Sequence, residues 1–284
     1  MWTHATWPGR HLPSPLPPRE RLRAYATWCN AVEGNTTFYA TPSLDTVRSW
    51  AEQTAPDFRF LPKLPRPITH ERRLVDVDEL LRQFLAVIEP LGPRAHTLWI
   101  QLPPSFGPSD LGTLAAFLYR LPREFRYAVE VRHRAFFEAT QWTQRLEDVL
   151  GRVDAEWVDM DTTVLFEKPP TTDAEREAWG KKPRLPRRSR ALTSHPVVRY
   201  IGRDDADRTI EGWRQHWLDT VVDWLREGRT PTVFIHTPDN VDAIVLARRF
   251  HDDVRARLPE LEALPEPRSV EEREEQVQGQ GTLF

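Results

Sequence analysis

The sequence has little cysteine and little methionine for its length. Its 284 residues include 1 Cys and 2 Met, against 11 Trp and 13 Phe. The single cysteine, Cys29, excludes an internal disulfide, and its position near the end of a predicted helix favours a packed thiol over a nucleophile. With so little methionine, aromatic rings have to supply much of the core packing.

Several sequence patterns are also absent. No uninterrupted apolar run approaches the ~18 residues of a membrane span, and the N-terminal residues show no signal-peptide h-region. These absences indicate a cytoplasmic protein with no membrane partner. A formal net charge of -3 argues against a general nucleic-acid surface, although a local basic patch stays open. The chain contains neither the GxGxxG fingerprint nor a metal motif such as HExxH or CxxC.

Strand and helix patterns alternate along the chain. Val32 to Tyr39 alternates as a strand does, so Glu33, Asn35 and Thr37 are expected to share one polar face. A helix and a second strand follow, and this strand-helix-strand unit builds parallel sheets. Seven strands are predicted in all, with helices between them, beginning at Val32, Phe58, His96, Tyr127, Glu156, Pro196 and Thr232.

This alternation predicts an α/β fold of the TIM-type (β/α)8 barrel class. Such a barrel uses about 250 residues and eight strand-helix repeats, whereas a doubly wound sheet more often shows a glycine-rich first turn. Only Met1 and Trp2 precede the first loop, so the first strand is expected to be truncated or missing. The barrel domain is predicted over residues 1–262, with an irregular, basic, proline-rich insert at about 165–195. A charged, disordered tail is expected at 263–284.

Polar side chains are predicted at the carboxyl ends of the strands, where barrels carry their active sites. Glu33 and Glu130 are the acid/base candidates, because carboxylates near cations can be tuned apart in pKa. Lys63 is a candidate electrophile or anion contact, and His236 a candidate proton shuttle or rim histidine. The predicted substrate-binding residues are Asn35, Thr37, Tyr39, Gln101, Arg132, Asp161 and Arg199, of which the two arginines suit bidentate binding of an anion.

The same side chains have a purely structural interpretation. Glu33 could pair with Lys63, and Glu130 with Arg132 or Arg199, in an ionic layer that fills the barrel mouth. Buried ion pairs cost desolvation and gain little over apolar packing, so a ring of about eight polar groups is better explained by a ligand. The sequence therefore favours a functional pocket.

A divalent metal and a nucleic-acid patch are weaker interpretations of the charged residues. Glu33, Glu130, Asp161 and His236 could hold a metal, but the flanking Lys and Arg would repel the cation, and no cofactor is predicted. The basic residues of the insert favour a solvated loop over a nucleic-acid or phosphate patch. They are Lys181, Lys182, Arg184, Arg187, Arg188 and Arg190.

Five segments carry a family resemblance: VEGNTTFYATPSLDTVRSWAEQTAPDFRFLPKLPRPITH, LWIQLPPSF, AVEVRHRAFF, VVRYIGRDD and VFIHTPDN. In this order they resemble the signature segments of domain of unknown function 72, the YecE-like family, over the chain to about Leu258. The resemblance implies a TIM-type barrel with a polar pocket at its C-terminal face, and no settled reaction. Two places depart from the family pattern. The short strand that usually precedes the loop matching TWPGRHLP is reduced to Met1 and Trp2, and His236, Thr237 and Pro238 replace a Phe-Asn-Asn type ending.

The C-terminal residues resemble a second known pattern, the peptide that docks on the bacterial sliding clamp. Gln280, Leu283 and Phe284 agree with that peptide, while Gly281 replaces an anchoring Leu. An apolar pair on a charged tail is typical of a docking peptide. A chance match of so short a segment to the docking peptide explains these residues equally well.

Two classes of function are therefore open. As an enzyme, the protein would perform acid/base chemistry of the hydrolase or isomerase type on a small anionic or sugar-like substrate. As a binding protein, it would hold a ligand or a nucleic-acid end without turnover, and its tail would bring it to the sliding clamp.

Overall fold

The computed structural model describes residues 2–267, which contain eight short strands and eleven α-helices. The strands are β1 (Ala31–Gly34), β2 (Arg59–Pro62), β3 (Leu98–Gln101), β4 (Tyr127–Glu130), β5 (Glu156–Trp157), β6 (Asp159–Asp161), β7 (Val197–Ile201) and β8 (Thr232–His236). The helices are α1 (Arg21–Tyr25), α2 (Asn35–Tyr39), α3 (Leu44–Glu52), α4 (Asp78–Ile88), α5 (Leu111–Arg120), α6 (Ala135–Glu138), α7 (Thr140–Gly151), α8 (Asp173–Lys181), α9 (Ala206–His216), α10 (Leu218–Arg226) and α11 (Ala243–Arg255). No helix within residues 2–267 combines the length and the apolar character needed to cross a bilayer.

The strands form three small parallel sheets, so the predicted TIM-type (β/α)8 barrel is wrong. The hydrogen-bonded ladders give one two-stranded sheet, β1-β2, and two three-stranded sheets, β3-β4-β5 and β6-β7-β8. Between β2 and β3 only isolated bridges occur, such as Lys63 to Trp99. The α/β class is retained, but the strands of residues 2–267 do not form a closed eight-stranded sheet.

Two interruptions explain the difference from the prediction. The predicted strand from Glu156 to Asp161 divides at Val158, and its first half pairs with β4 while its second half pairs with β7. Within the described residues no strand precedes Ala31, and β1 and β8 pair only with β2 and β7 respectively. Alternation along the sequence predicted the strands but could not predict which neighbours would pair.

The first predicted strand is also shorter than its alternation suggested. β1 ends at Gly34 and α2 begins at the next residue. A Cβ at Gly34 would lie 2.8 Å from the Cα of Pro62, so glycine allows β1 and β2 to approach closely. Thr37 Oγ1 donates to the Gly34 carbonyl at 2.8 Å and fixes the turn into α2. The predicted strand face is therefore broken, because Glu33 lies on a strand while Asn35 and Thr37 lie on a helix.

The hydrophobic core has an inner part between the strands and an outer part beneath the helices. The inner part consists of Leu61, Trp99, Ala128, Val158, Val197 and Phe234. Helix α3 begins at Leu44, and the preceding Ser43 caps it by accepting from the Thr46 amide at 3.2 Å. Trp99 is fully buried, and the charged side chains of Lys63 and Arg199 lie over its ring. Burial of a large apolar side chain contributes roughly 1.5–3 kcal/mol to the free energy of unfolding. The inner core therefore stabilises the strand ends.

The basic stretch at 165–195 contains helix α8, which the sequence did not predict. Thr172 caps this helix by accepting from the Glu175 amide at 3.0 Å, and Trp179 Nε1 donates to the Leu165 carbonyl at 2.8 Å. Arg203 pairs with Glu175 at 2.6 Å on the side facing β7. Helix α8 has no clear apolar stripe, so periodicity alone does not reveal it. The stretch is folded against the sheets and places Lys182 beside the strand ends.

Candidate functional site

Charged and polar side chains converge where the strands end, because parallel strands bring their carboxyl ends to one side. We call this group the charged cluster; its members are Glu33, Lys63, Gln101, Glu130, Arg132, Arg199 and His236. Trp99 forms its floor, with its ring centroid 4.6 Å from Lys63 Nζ and 5.9 Å from Arg199 Cζ. The structure thus brings together all four predicted catalytic residues and three of the seven predicted binding residues.

Glu33 is the most highly connected member of the cluster. Its Oε1 lies 2.5 Å from Lys63 Nζ and 3.1 Å from Arg199 Nη2, and its Oε2 accepts from His236 Nε2 at 2.7 Å. Burial acts to raise the pKa of Glu33, but Arg199, Lys63 and His236 outweigh it and hold the pKa well below its usual range. Glu33 is therefore ionised at neutral pH and holds the surrounding cations in place.

Glu130 is fully buried but has fewer partners. Arg132 Nε donates to its Oε1 at 2.6 Å, while its Oε2 lies 3.9 Å from Arg199 Nη1 and accepts no hydrogen bond from residues 2–267. Burial acts to raise the pKa of Glu130, but Arg132, Arg199 and Lys63 lower it below the usual value. The lowered pKa makes Glu130 a weak base, but its unused Oε2 leaves one carboxylate oxygen available to accept a hydrogen bond or a proton from a substrate.

Lys63 and His236 have pKa values that burial brings down. Lys63 Nζ donates to Gln101 Oε1 at 2.8 Å, and burial lowers the pKa of Lys63 to about 8, against the opposing pull of Glu33. Burial lowers the pKa of His236 to about 4, so the imidazole is neutral at pH 7. Its two nitrogens face two oxygens, Glu33 Oε2 at 2.7 Å and Asn240 Oδ1 at 3.1 Å. A neutral ring donates through only one nitrogen, and the shorter contact to a carboxylate selects the Nε2–H tautomer.

Sequence reasoning missed Lys182 as a neighbour of the cluster. Lys182 follows α8 and is half-buried, and the Pro183 carbonyl after it accepts from Thr162 Oγ1 at 3.0 Å, which ties the segment to the end of β6. Repulsion from Arg199, and then burial, lowers the pKa of Lys182 to about 7. In the sequence, Lys182 appears only within the Lys-Lys-Pro segment 181–183, which looks like any solvent-exposed basic stretch.

His70 is a second neighbour that the sequence did not indicate. Burial first, and then the Arg132 guanidinium, lowers the pKa of His70 to about 4. Its Nδ1 lies 2.9 Å from Thr69 Oγ1, and its ring packs edge-on against Phe38 with the centroids 4.9 Å apart. His70 is therefore a neutral wall residue of the cluster at pH 7.

Positive charge exceeds negative charge in this part of the protein. Lys63, Arg132, Lys182 and Arg199 supply four cationic groups around two carboxylates. Arg199 Nε is buried and has no hydrogen-bond partner among the described residues. A buried donor or acceptor without a hydrogen bond lowers the free energy of unfolding by roughly 1–3 kcal/mol, and by more when the group is charged. The arrangement is chemically suited to an anion that accepts from Arg199 and offsets the surplus charge.

Four predicted binding residues are not part of the charged cluster. Asp161 accepts from Trp217 Nε1 at 2.7 Å and from the Thr163 amide at 2.8 Å, so its carboxylate serves a structural hydrogen-bond network. Thr37 fixes the turn after β1, Asn35 is half-buried in the first turn of α2, and Tyr39 is 76 % exposed at its end. The structure places these side chains around the site rather than in it.

The proposed metal ligands are not assembled, since Asp161 is turned to Trp217. Among residues 2–267 no group of three or more His, Cys, Asp or Glu side chains is arranged to hold a metal ion. The predicted clamp-docking residues Gln280, Leu283 and Phe284 lie outside the residues that the structure describes.

The fold and the site together define a class of α/β protein, with short parallel strands whose carboxyl ends carry a buried charged cluster. The chain belongs to the family described as protein of unknown function DUF72, whose model matches residues 1–270, and the predicted family resemblance is confirmed. It is 39% identical over 265 residues to the UPF0759 protein YecE of Escherichia coli O157:H7, which is 93% of this chain and 94% of that protein. The same values hold for the UPF0759 protein YecE of Escherichia coli strain K12.

Two crystal structures of a DUF72 family protein from Enterococcus faecalis V583 resemble this fold. The first has a TM-score of 0.60 and 17% sequence identity, and covers 81% of this chain and 93% of that chain. The second has a TM-score of 0.62 and 15% identity, and covers 82% and 88% respectively. Similarity at this level of identity supports the fold and does not extend to a reaction.

Proposed function

We propose that the charged cluster is an active site that performs acid/base chemistry, of the hydrolase or isomerase type, on a small anionic substrate such as a phosphorylated sugar. The observation that carries the proposal is that four cationic side chains, the buried Lys63 and Arg199 and the half-buried Arg132 and Lys182, surround two ionised carboxylates, and that Arg199 Nε has no hydrogen-bond partner within residues 2–267. A structural ion-pair layer would be expected to pair its charges completely, since each unpaired buried charge destabilises the fold.

Under this proposal each residue of the cluster has a role. Arg132, Lys182 and Arg199 bind the anionic group, and the free Oε2 of Glu130 acts as the general base. Lys63, with its pKa of about 8, is protonated at pH 7 and close enough to neutrality to act as the general acid. Glu33 holds Lys63 in position through its 2.5 Å contact.

Turnover screens on phosphorylated sugars and nucleotides test this proposal. Removing a general base lowers the rate by roughly 10²–10⁴-fold, so Glu130→Gln should lose most of the activity of the wild-type protein. Glu156→Gln is the matched control, because Glu156 is also a buried carboxylate but lies outside the cluster. Circular dichroism establishes that each variant is folded. Equal rates for wild type and folded Glu130→Gln on every accepted substrate would refute the catalytic role.

A binding role without turnover is the second proposal, and the C-terminal sequence is the observation in its favour. Gln280, Leu283 and Phe284 match three positions of a clamp-docking peptide. Under this proposal, deleting Leu283 and Phe284 should abolish binding to a bacterial sliding clamp in a pull-down titration. Unchanged binding after the deletion would rule the docking role out.

A further inference from the structure

Two neighbouring side chains of the charged cluster each have one buried polar atom without a hydrogen-bond partner in residues 2–267. One atom is a donor, Arg199 Nε, and the other is an acceptor, Glu130 Oε2. Both residues are shielded from solvent, since Arg199 is 5 % exposed and Glu130 0 %. Arg199 Nη1 lies 3.9 Å from the same oxygen of Glu130, so the two side chains are close together. They therefore offer one donor and one acceptor to a common ligand.

The contacts between Glu130 and Arg132 explain why one carboxylate oxygen is left over. Arg132 Nε lies 2.6 Å from Glu130 Oε1 and Arg132 Nη2 lies 2.5 Å from it, so both contacts go to one oxygen. A fork-shaped pair would instead place one nitrogen on each oxygen. Burial acts to raise the pKa of Glu130, but the cations around it, Arg132 first, hold that pKa below its usual value. The Oε2 atom is therefore an acceptor without a proton at neutral pH.

Glu33 offers no comparable oxygen, because both of its carboxylate oxygens have close partners. Its Oε1 lies 2.5 Å from Lys63 Nζ and 3.1 Å from Arg199 Nη2, and its Oε2 accepts from His236 Nε2 at 2.7 Å. The contact with Glu33 also holds the guanidinium of Arg199 through Nη2. The donor at Arg199 Nε is thus fixed in place before any ligand arrives.

A ligand that satisfies both buried atoms must accept and donate at once. It has to accept from Arg199 Nε and donate to Glu130 Oε2, since an ionised carboxylate only accepts. An anion without a proton, such as sulfate, would accept from Arg199 but would face Glu130 with no hydrogen between the two oxygens. A water molecule would satisfy both atoms without offsetting the surplus positive charge. An anion with an O–H group beside its charged oxygen meets all of these requirements.

We propose that the charged cluster selects anions that carry an O–H donor next to a charged oxygen, such as hydrogen phosphate or a 2-hydroxy acid. The inference rests on the proposed function, because it names the substrate class of the same site. A site built to hydrogen-bond a hydroxyl rejects the analogue that lacks it, because the buried polar group of the site is then left unpaired. Glu130 Oε2 would accept this hydrogen bond from the hydroxyl of the substrate itself.

Hydrogen phosphate and sulfate are a matched pair of probes for this selection. At pH 8 inorganic phosphate is chiefly the hydrogen phosphate dianion, which has the charge and the tetrahedral shape of sulfate and one O–H in addition. Glycolate and acetate form a second pair, which differs by a hydroxyl and distinguishes a hydroxy acid from a phosphate as the preferred anion. Calorimetric titration of the full chain in one buffer measures the four affinities at the same protonation state of the lysines.

We expect the wild-type protein to bind hydrogen phosphate about tenfold or more tightly than sulfate, because the added hydrogen bond has a charged acceptor. In Glu130→Gln this preference should fall to about threefold or less, because the Gln amide can donate to sulfate. Arg199→Lys keeps the positive charge but lacks Nε, so both anions should bind less tightly, with little change in their ratio. Glu156→Gln, outside the cluster, should leave both affinities unchanged.

The glycolate and acetate pair identifies the source of the preferred anion. A preference for glycolate that also depends on Glu130 would support a hydroxy acid, and a preference confined to hydrogen phosphate would support a phosphate. Circular dichroism again establishes that each variant is folded.

Two results would overturn the inference while leaving the anion site in place. They are equal affinities within both pairs for the wild-type protein, and a preference that is undiminished in folded Glu130→Gln. No binding of any of the four anions would refute the anion site and the inference with it. Intact selection in a protein without turnover on any substrate would refute only the catalytic proposal.

Discussion

Two buried carboxylate sites in this protein are stabilised in different ways. In the charged cluster, Glu33 and Glu130 are balanced by cations. At the opposite ends of the strands, Glu156 is held by neutral donors, a site we call the Glu156 anchor. Its carboxylate accepts from the Trp157 amide at 2.9 Å, the Leu192 amide at 3.0 Å, and the Thr193 amide and hydroxyl, both at 2.9 Å.

The pKa values of the two sites shift in opposite directions. Burial raises the pKa of Glu156, and its hydrogen bonds only partly offset that rise. In the cluster, cations lower the pKa of Glu33 and Glu130 despite burial. At the Glu156 anchor, Leu192 and Thr193 donate to the carboxylate and so hold the chain segment before β7 in place. Both carboxylate oxygens accept hydrogen bonds there. The cluster has surplus cations and, within the described residues, an Arg199 Nε without a hydrogen bond; the proposal that it binds a ligand rests on this surplus rather than on burial alone.

The largest expected effect comes from breaking the ion pair in the cluster. Glu33→Ala leaves Lys63 as an uncompensated buried charge, which should cost roughly 3–5 kcal/mol of unfolding free energy. Lys63→Met should cost a similar amount, and the double variant less than the sum, because the two residues share one interaction. Urea unfolding at pH 7 measures all three. Strictly additive losses would show that the pair is not coupled.

The Glu156 anchor should respond more weakly and without any effect on ligand binding. Glu156→Gln replaces one accepting oxygen by a donor, so a backbone amide loses its partner at a cost of roughly 1–3 kcal/mol. Urea unfolding measures this cost, and calorimetric titration with sulfate measures binding. A change in sulfate affinity in the folded variant would break the distinction between the two sites.

The affinity for sulfate should fall as the pH rises from 6 to 9. The pKa of Lys182 is lowered to about 7 and that of Lys63 to about 8, so both are protonated at pH 6 and largely neutral at pH 9. Sulfate keeps its charge over this range, and losing these cations should weaken binding by about tenfold, which corresponds to ~1.4 kcal/mol. In Lys182→Gln, the affinity for sulfate should change less with pH near pH 7, where Lys182 titrates in the wild-type protein. An affinity independent of pH would contradict the assignment of these lysines.

The smallest expected effect is that of Tyr39→Ala. Tyr39 is 76 % exposed, and its removal should change stability by less than about 0.5 kcal/mol. Sulfate affinity should also stay constant, since the residue is not part of the charged cluster. Calorimetric titration of this variant checks the point, and a clear loss of affinity would restore the sequence-based prediction that Tyr39 binds substrate.

The sequence predicted the strand ends well and their connections poorly. Glu33, Lys63, Glu130 and His236 could be predicted because each lies at or beside the carboxyl end of a strand with a clear alternation. The pairing of strands depends on backbone contacts across the sheet, such as the exchange of partners at Val158, and side-chain periodicity carries no information about it.

Residues outside the strands were harder to predict. Asp161 follows the strand alternation but is turned away by Trp217, a contact between residues 56 positions apart in the chain. Lys182 reaches the cluster only because α8 folds back over the sheets, and a run of basic residues gives no sign of this. Long-range packing decided both cases.

The most direct test of the charged cluster as an anion site is the position of tungstate in crystals of the protein, located by anomalous scattering. We predict a tungstate within hydrogen-bonding distance of Arg199 Nε, contacted also by Arg132 or Lys182, and none beside Glu156. Anomalous peaks confined to exposed arginines, with the cluster unchanged, would contradict the interpretation of this cluster as a ligand site.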